Sequence, residues 1–150
     1  MFQRILVPVD GSETSTKALV TALQLAREAG GRVRAVHLLD ELAHLTGYEY
    51  GADLLRIARK QAAQVLGDAM DIAGSSGVPA DSRQLEAPGA RLGEVIADEA
   101  QAWEADLIVV GTHGRRGVGR VLLGSGAEQV IRAAPVPVLT IRGEDEDAGR

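Results

Sequence analysis

Along the chain, short segments with a pattern typical of β-strands alternate with longer segments whose apolar residues have helical spacing. Five segments are short and bounded by glycine, proline or polar residues, and four of them are rich in aliphatic or β-branched residues. They cover residues 2–9, 32–39, 80–87, 107–110 and 135–141. The third segment is polar, which predicts a strand at a sheet edge. The prolines of the last segment cannot donate to a central ladder, so they predict an edge or a strand start there.

Between these runs, apolar residues recur three and four positions apart, which predicts amphipathic helices. The helical segments are 14–29, 53–73, 90–102 and a last one from about Ser125 to Ala133. Ser12 is the predicted N-cap of the first helix, and Gly30-Gly31 is its predicted end. The stretch from Asp40 to Ala52 has no clear period, so we predict a loop there.

This alternation predicts an α/β fold with an open, five-stranded sheet. Helical crossovers between strands require parallel strands, with helices covering both faces. In such sheets, ligands bind beyond the carboxyl ends of the strands, where the winding direction reverses. Two loops are candidates: Asp10-Gly11-Ser12 after the first strand and residues 111–124 after the fourth. Both loops line one crevice only if strands one and four are neighbours, which is a hypothesis at this point.

Composition narrows the functional classes. The chain has 150 residues, 45% of them hydrophobic and 25% charged, as expected for one soluble globular domain. It has no cysteine, which excludes disulfides, thiolate metal sites and a cysteine nucleophile. No apolar run approaches the roughly 18–20 residues of a membrane span, and no signal-peptide pattern opens the chain, so we expect a cytoplasmic protein without a membrane partner.

Charge and aromatic content argue against a nucleic-acid partner. The net charge is −5, and only 3% of residues are aromatic, so basic patches and base-stacking platforms are both scarce. Residues 143–150 are mostly acidic, glycine and small residues, and we predict a mobile tail there after a domain that spans residues 1–142.

The segment from residue 106 to residue 126 carries the strongest chemical pattern. An apolar run stops at Gly111, Gly114 follows, and Gly124-Ser125 opens the last helix. Glycines let backbone N–H groups approach an anion, and a helix N-terminus offers unpaired donors, so this segment predicts phosphate binding. Three arginines also lie in this loop of an acidic protein: Arg115, Arg116 and Arg120. The alternative interpretation is a flexible loop with a solvated basic face.

Other polar residues have competing interpretations. Asp10 either contacts a ligand or caps the first helix and its turn. His113 lies in the glycine loop, where we favour a wall of the pocket over a general base. His37 falls within a strand, so we predict a hydrogen-bonded core histidine. No nucleophile, base and acid stand at a recognisable spacing, and the loop lacks the lysine of P-loop enzymes, so we predict no catalytic residues.

Taken together, these segments resemble the universal stress protein family, in its ATP-binding branch. That branch carries Gly, two residues, Gly, nine residues, Gly and then Ser or Thr, a spacing that Gly111, Gly114, Gly124 and Ser125 match. The opening 5–12, the segment 105–114 and the ending 134–139 are also similar to family segments. The resemblance extends from residue 2 to about residue 142.

The resemblance implies a Rossmann-like sheet of order 3-2-1-4-5, with a nucleotide between strands 1 and 4. Asp10 would face the ribose or a metal-bound water, and the backbone near Leu38 would meet the adenine edge. The pocket walls and floor would be Pro8, Val9 and Val110. The phosphate and ribose side would be lined by Gly111, Thr112, His113, Gly114, Arg115, Gly124, Ser125 and Gly126. Gly126 departs from the family pattern, which often has an apolar residue at that position.

The resemblance also implies ATP as the ligand, with Mg²⁺ or Mn²⁺ carried by the nucleotide, and a homodimer formed through the last strand, about Val136–Ile141. We therefore expect a stress-response protein that acts as a binding module and signals its nucleotide occupancy. One alternative is a slow ATPase or nucleotidyl-transferring enzyme on the same fold. The other is a dimeric interaction protein that binds no nucleotide.

Overall fold

The computed structural model describes residues 1–39, 48–87, 89–112 and 125–143. Within these ranges strands and helices alternate along the chain. The strands are β1 (Arg4–Pro8), β2 (Arg32–Leu38), β3 (Ala80–Leu85), β4 (Leu107–Gly111) and β5 (Val138–Ile141). The helices are α1 (Glu13–Ala29), α2 (Tyr48–Ser76), α3 (Leu92–Trp103) and α4 (Ser125–Ala133). Apart from Gly143, the predicted tail lies outside the described residues.

The strands form one sheet of order β3-β2-β1-β4-β5, in which all neighbouring strands are parallel. This confirms the predicted fold class, the strand order and the neighbourhood of β1 and β4. The polar strand β3 is at one edge and β5 is at the other, as predicted. β5 begins at Val138, immediately after Pro137, so neither proline of that segment interrupts a ladder within the strand.

Helices cover both faces of the sheet. Successive side chains of a strand point to opposite faces, so neighbouring residues of β1 belong to different cores. Ile5 and Val7 of β1 belong to a core that includes residues of α1 and α2. Leu6, which lies between them in sequence, belongs to a second core formed with α3 and α4. β1 and β4 are therefore buried on both faces, which explains why their sequences contain continuous apolar runs.

Both ends of α1 lie where the sequence predicted them. The Ser12 hydroxyl accepts a hydrogen bond from the Ser15 N–H (3.1 Å), and Gly30 closes α1 in the left-handed conformation, with φ 69°. Both were predicted. The predicted loop over 40–52 is wrong for its last part, because α2 begins at Tyr48. Gly51 lies inside the helix because a glycine costs only about 1 kcal/mol relative to alanine there and does not end a helix by itself.

None of the helices in the described ranges combines the length and the apolar content that a bilayer crossing requires.

Candidate functional site

The carboxyl ends of β1 and β4 form one edge of the sheet, and the two candidate loops leave from it. The strands pair directly, with Ile5 opposite Leu107 and Leu6 opposite Ile108. The turn after β1 leads into α1, and Gly111 ends β4. The condition for one shared crevice, that strands one and four are neighbours, is therefore met, and the described starts of both loops leave from the same edge of the sheet.

Asp10 organises the turn at the end of β1. Its carboxylate oxygen Oδ1 accepts a hydrogen bond from the Ser12 N–H at 2.9 Å, and Gly11 between them adopts φ 84°. The Asp10 N–H in turn donates to the Ser15 hydroxyl at 3.3 Å. Asp10 thus stabilises the turn before α1, as one of its two interpretations predicted. This interaction involves one carboxylate oxygen, and the described residues provide no hydrogen-bond donor for the other, so a ligand role for Asp10 stays a prediction.

Gly111 allows the end of β4 to touch the first turn of α1. A Cβ atom at this position would lie 2.7 Å from Thr14 Cγ2 and 3.0 Å from the Thr14 carbonyl carbon. Such distances are too short for any side chain larger than hydrogen. The contact with Thr14 therefore requires a glycine at position 111, independently of the phosphate-binding motif. Thr14 was not identified from the sequence.

Thr112 places a buried hydroxyl beside this contact. Its N–H donates to the Ile141 carbonyl at 2.9 Å, and the residue is only 4% exposed. Its Oγ1 has no hydrogen-bond partner among the described residues. Buried hydroxyls normally have a partner, so an orphan at the carboxyl edge of the sheet suits a polar ligand.

His37 lies against the same edge from the side of β2. Its Nδ1 is 2.7 Å from the Val9 carbonyl oxygen, which confirms the predicted hydrogen bond, but the residue is half-buried and does not lie in the core as predicted. Leu38, the last residue of β2, follows it. Sequence reasoning treated His37 as a core residue only, whereas the structure brings its ring to the exit of β1.

The structure brings together part of the predicted residue set. Val9 and Val110 are buried at the ends of β1 and β4, and Pro8 is half-buried. A Cβ at Gly126 would lie 2.9 Å from Leu92 Cδ2, so this glycine permits a close approach between the starts of α3 and α4. Ser125 begins α4. The predicted residues that lie outside the described ranges are His113, Gly114, Arg115, Arg116, Arg120 and Gly124.

A metal site built from protein ligands alone is not found in the described part of the chain. No group of three or more His, Cys, Asp or Glu side chains there is arranged to hold a metal ion. Among the described residues, Asp10 places a carboxylate at this edge of the sheet, and a single carboxylate suits a cation whose other ligands are phosphates and water.

A second polar cluster lies at the opposite, amino edge of the sheet. Arg34 of β2 donates to Asp81 of β3 and to the buried Glu99 of α3, each at 2.9 Å. The guanidinium groups of Arg4 and Arg34 lie 4.4 and 4.9 Å from the ring centroid of Trp103. The hydrogen bond from Arg34 lowers the pKa of Asp81 against the opposing effect of burial. This cluster joins α3 to the sheet and is remote from the crevice.

Comparisons with known proteins agree with the resemblance. A model of the universal stress protein family matches residues 1–142. A universal stress protein from Thermus aquaticus is 34% identical over 142 residues, which cover 95% of this chain and 100% of that protein. A universal stress protein from Archaeoglobus fulgidus, solved in complex with dAMP, is 28% identical with a TM-score of 0.69, covering 93% of this chain and 98% of that one. Another universal stress protein, solved in complex with cAMP, is 26% identical with a TM-score of 0.70, covering 97% and 99%.

Proposed function

Because the chain belongs to the universal stress protein family, we propose that it binds an adenine nucleotide in the crevice between the carboxyl ends of β1 and β4. One observation carries the proposal: the Asp10 turn, the first turn of α1 and Gly111 meet at one edge of the sheet. The buried Thr112 hydroxyl beside them lacks a partner among the described residues. The relatives solved with dAMP and cAMP support adenine as the base.

We assign the adenosine part of the ligand to the ends of β1, β2 and β4. The Leu38 backbone contacts the adenine edge, and Asp10 uses its second carboxylate oxygen toward a ribose hydroxyl or a water on the cation. The first oxygen remains on the Ser12 N–H, which fixes the carboxylate in place. Pro8 and Val9 form the wall, and Val110 forms the floor.

We assign the phosphates to the glycine loop and the start of α4. A helix N-terminus attracts anions because its first N–H groups are unpaired and the helix dipole is positive there. The residues in this assignment are Gly111, Thr112, His113, Gly114, Arg115, Gly124, Ser125 and Gly126. Within this set, the buried Thr112 hydroxyl supports a polar ligand because it has no partner among the described residues, whereas Gly111 is also required by its contact with α1.

The proposed physiological ligand is ATP with Mg²⁺ or Mn²⁺. Since the described residues offer no three-ligand metal cluster, the cation would enter with the phosphates rather than reside in the protein. Nucleotide occupancy would change the state that partner proteins bind in the cytoplasm, which makes the protein a binding module in a stress response.

A homodimer through the last strand is part of this proposal. β5 pairs with β4 on one side, and among the described strands it has no neighbour on the other. Leu139 on this edge is 38% exposed, which provides apolar surface for a second copy. Replacing Leu139 with lysine should shift the protein from dimer to monomer in sedimentation velocity, and an unchanged dimer would place the interface elsewhere.

Isothermal titration calorimetry with AMP and with ATP plus Mg²⁺ tests the nucleotide site. We expect one nucleotide per chain. Asp10→Asn keeps an oxygen for the Ser12 N–H but removes the charge, so affinity should fall about tenfold, as for loss of one charge-assisted hydrogen bond. The matched control is Asp71→Asn on the exposed face of α2, which should bind like the wild type. Absence of binding to the wild-type protein at millimolar nucleotide would refute the proposal.

The enzymatic alternative is separated by following ADP after incubation with ATP and Mg²⁺. The binding module should show no turnover near the enzyme median of about 10 s⁻¹. Turnover at that rate would establish an ATPase instead. A dimeric protein that binds neither AMP nor ATP would fit the remaining alternative, an interaction protein without a nucleotide.

A further inference from the structure

The hydrogen-bond ladder between β1 and β2 ends with a side chain in the place of a backbone donor. In a parallel pair, the bonds recur along each strand in steps of two residues. At the carboxyl end, the Val9 N–H donates to the Val36 carbonyl at 2.8 Å. The next bond in this series would run from the Leu38 N–H to the Val9 carbonyl. No such bond is present among the described residues, and His37 Nδ1 lies 2.7 Å from that carbonyl instead.

The chemistry of this contact fixes the position of one hydrogen. A carbonyl oxygen can only accept, so Nδ1 must be the nitrogen that carries the hydrogen. The imidazole of His37 thus donates to Val9 in place of the backbone of the following residue. The Val9 carbonyl keeps a partner, and the ladder ends without leaving this acceptor unsatisfied.

The other side of β2 continues its ladder normally. The Leu39 N–H donates to the Leu85 carbonyl beyond β3 at 3.0 Å. β2 therefore stays in the sheet at this point and separates from β1 alone. Because N–H groups alternate sides along a strand, the Leu38 N–H is on the β1 side, where it has no partner among the described residues.

We infer that His37 is a positioning residue for the adenine base, because its imidazole satisfies the Val9 carbonyl where β2 separates from β1, and so the Leu38 N–H stays available as a donor. The inference rests on the proposed function, which places the adenine edge at the Leu38 backbone. The ring nitrogens of adenine that carry no hydrogen are acceptors, so a free backbone N–H is the matching group. Without the imidazole donor, the Val9 carbonyl would lack a partner, and closing β2 onto β1 would satisfy it with the Leu38 N–H. The base would then lose its hydrogen bond.

Two substitutions separate the donor from the bulk of the ring. His37→Leu fills similar space without a donor. His37→Asn carries an NH₂ group on Cγ, as many bonds from the backbone as Nδ1, and so it can restore the donation to Val9. The site is half-buried, and both side chains suit a strand end of that kind.

Amide hydrogen exchange of the free protein, read by NMR, tests the first half of the inference. In the wild type, the Leu38 N–H should exchange at least tenfold faster than the Val9 and Leu39 N–H groups, which are paired. In His37→Leu, the Leu38 N–H should pair with Val9, and its exchange should slow to the rates of the Val9 and Leu39 N–H groups. In His37→Asn, the exchange of the Leu38 N–H should remain fast. Protection of Leu38 in the free wild type, or an unchanged rate in His37→Leu, would overturn the inference.

Calorimetry with AMP and with ribose 5-phosphate tests the second half. His37→Leu should bind AMP about tenfold more weakly, the effect of one lost hydrogen bond, while His37→Asn restores the affinity. The affinity for ribose 5-phosphate, which has no base, should be the same in all three proteins. Equal losses for both ligands would show a purely structural role and overturn the inference. If wild-type protein did not bind AMP, the proposed function would fail, whereas the exchange rates would still decide whether His37 replaces the backbone donor.

Discussion

Replacing Gly111 with alanine tests the contact on which the geometry of the crevice depends. The added Cβ would meet Thr14 Cγ2 at 2.7 Å and the Thr14 carbonyl carbon at 3.0 Å. The Thr14 methyl group Cγ2 could rotate away from the new Cβ. The Thr14 carbonyl carbon belongs to the backbone and can move only with the first turn of α1. Overpacking of this kind costs about 1–3 kcal/mol, and the backbone contact points to about 2 kcal/mol. For a chain of this size, the melting temperature should fall by about 4–8 °C.

Two other glycines provide matched controls for the same chemical change. A Cβ at Gly67, in the interior of α2, would have no atom within 4 Å, so Gly67→Ala should stabilise the protein by about 1 kcal/mol. A Cβ at Gly31 would lie 2.6 Å from the Gln3 carbonyl oxygen, at the amino edge of the sheet. Gly31→Ala should therefore destabilise the fold without acting on the crevice.

Urea denaturation and AMP calorimetry on the three variants separate stability from binding. Gly111→Ala should be less stable and should bind AMP more weakly, because it displaces the first turn of α1 relative to the end of β4. Gly31→Ala should be less stable with unchanged affinity, measured where both proteins are folded. Wild-type stability in Gly111→Ala, or an equal loss of affinity in Gly31→Ala, would refute the reasoning.

Further substitutions test single interactions. Ser12→Ala removes the hydroxyl that caps the Ser15 N–H and should cost about 1 kcal/mol in urea denaturation; an unchanged midpoint would show that the cap contributes nothing. The hydrogen bond from Arg34 lowers the pKa of Asp81 in the folded protein. The stability that this carboxylate contributes is therefore complete above the pKa of about 3.9 in the unfolded chain, and it is lost as pH falls through the lower pKa of the folded state. Asp81→Asn should be less stable at pH 7, with a shallower loss of stability in acid, and identical pH profiles would contradict this. Ser125→Ala should lower ATP affinity by about 1 kcal/mol of binding free energy, and unchanged calorimetric affinity would exclude that side chain from the site.

The fold could be predicted from the sequence because its signals are local. Apolar runs identified four of the strands, a short polar segment between helices identified β3, and helical spacing identified the helices of the described chain. The resemblance supplied the order of the strands. The start of α2 could not be predicted, since the helix begins at Tyr48, ahead of the residues whose apolar spacing marks it. Periodicity reports the face that a helix buries and says little about its ends.

The site was only partly predictable, because its geometry depends on contacts between residues distant in sequence. Gly111 was predicted to approach a phosphate, but its contact with Thr14 requires the packing of α1 against β4. His37 was predicted to be satisfied in the core, but no spacing rule indicates that it replaces a backbone donor. The bond between Arg34 and Glu99 joins residues 65 positions apart, and nothing in the local pattern predicts it.

The central claim is that an adenine nucleotide binds between the carboxyl ends of β1 and β4. The most direct test is a crystal structure of the protein grown with saturating ATP and Mg²⁺. We expect the base at the Leu38 backbone, the ribose near Asp10 and the phosphates toward Gly111 and the start of α4. Density for the nucleotide elsewhere on the molecule, or a crevice filled by the protein's own side chains, would contradict the account.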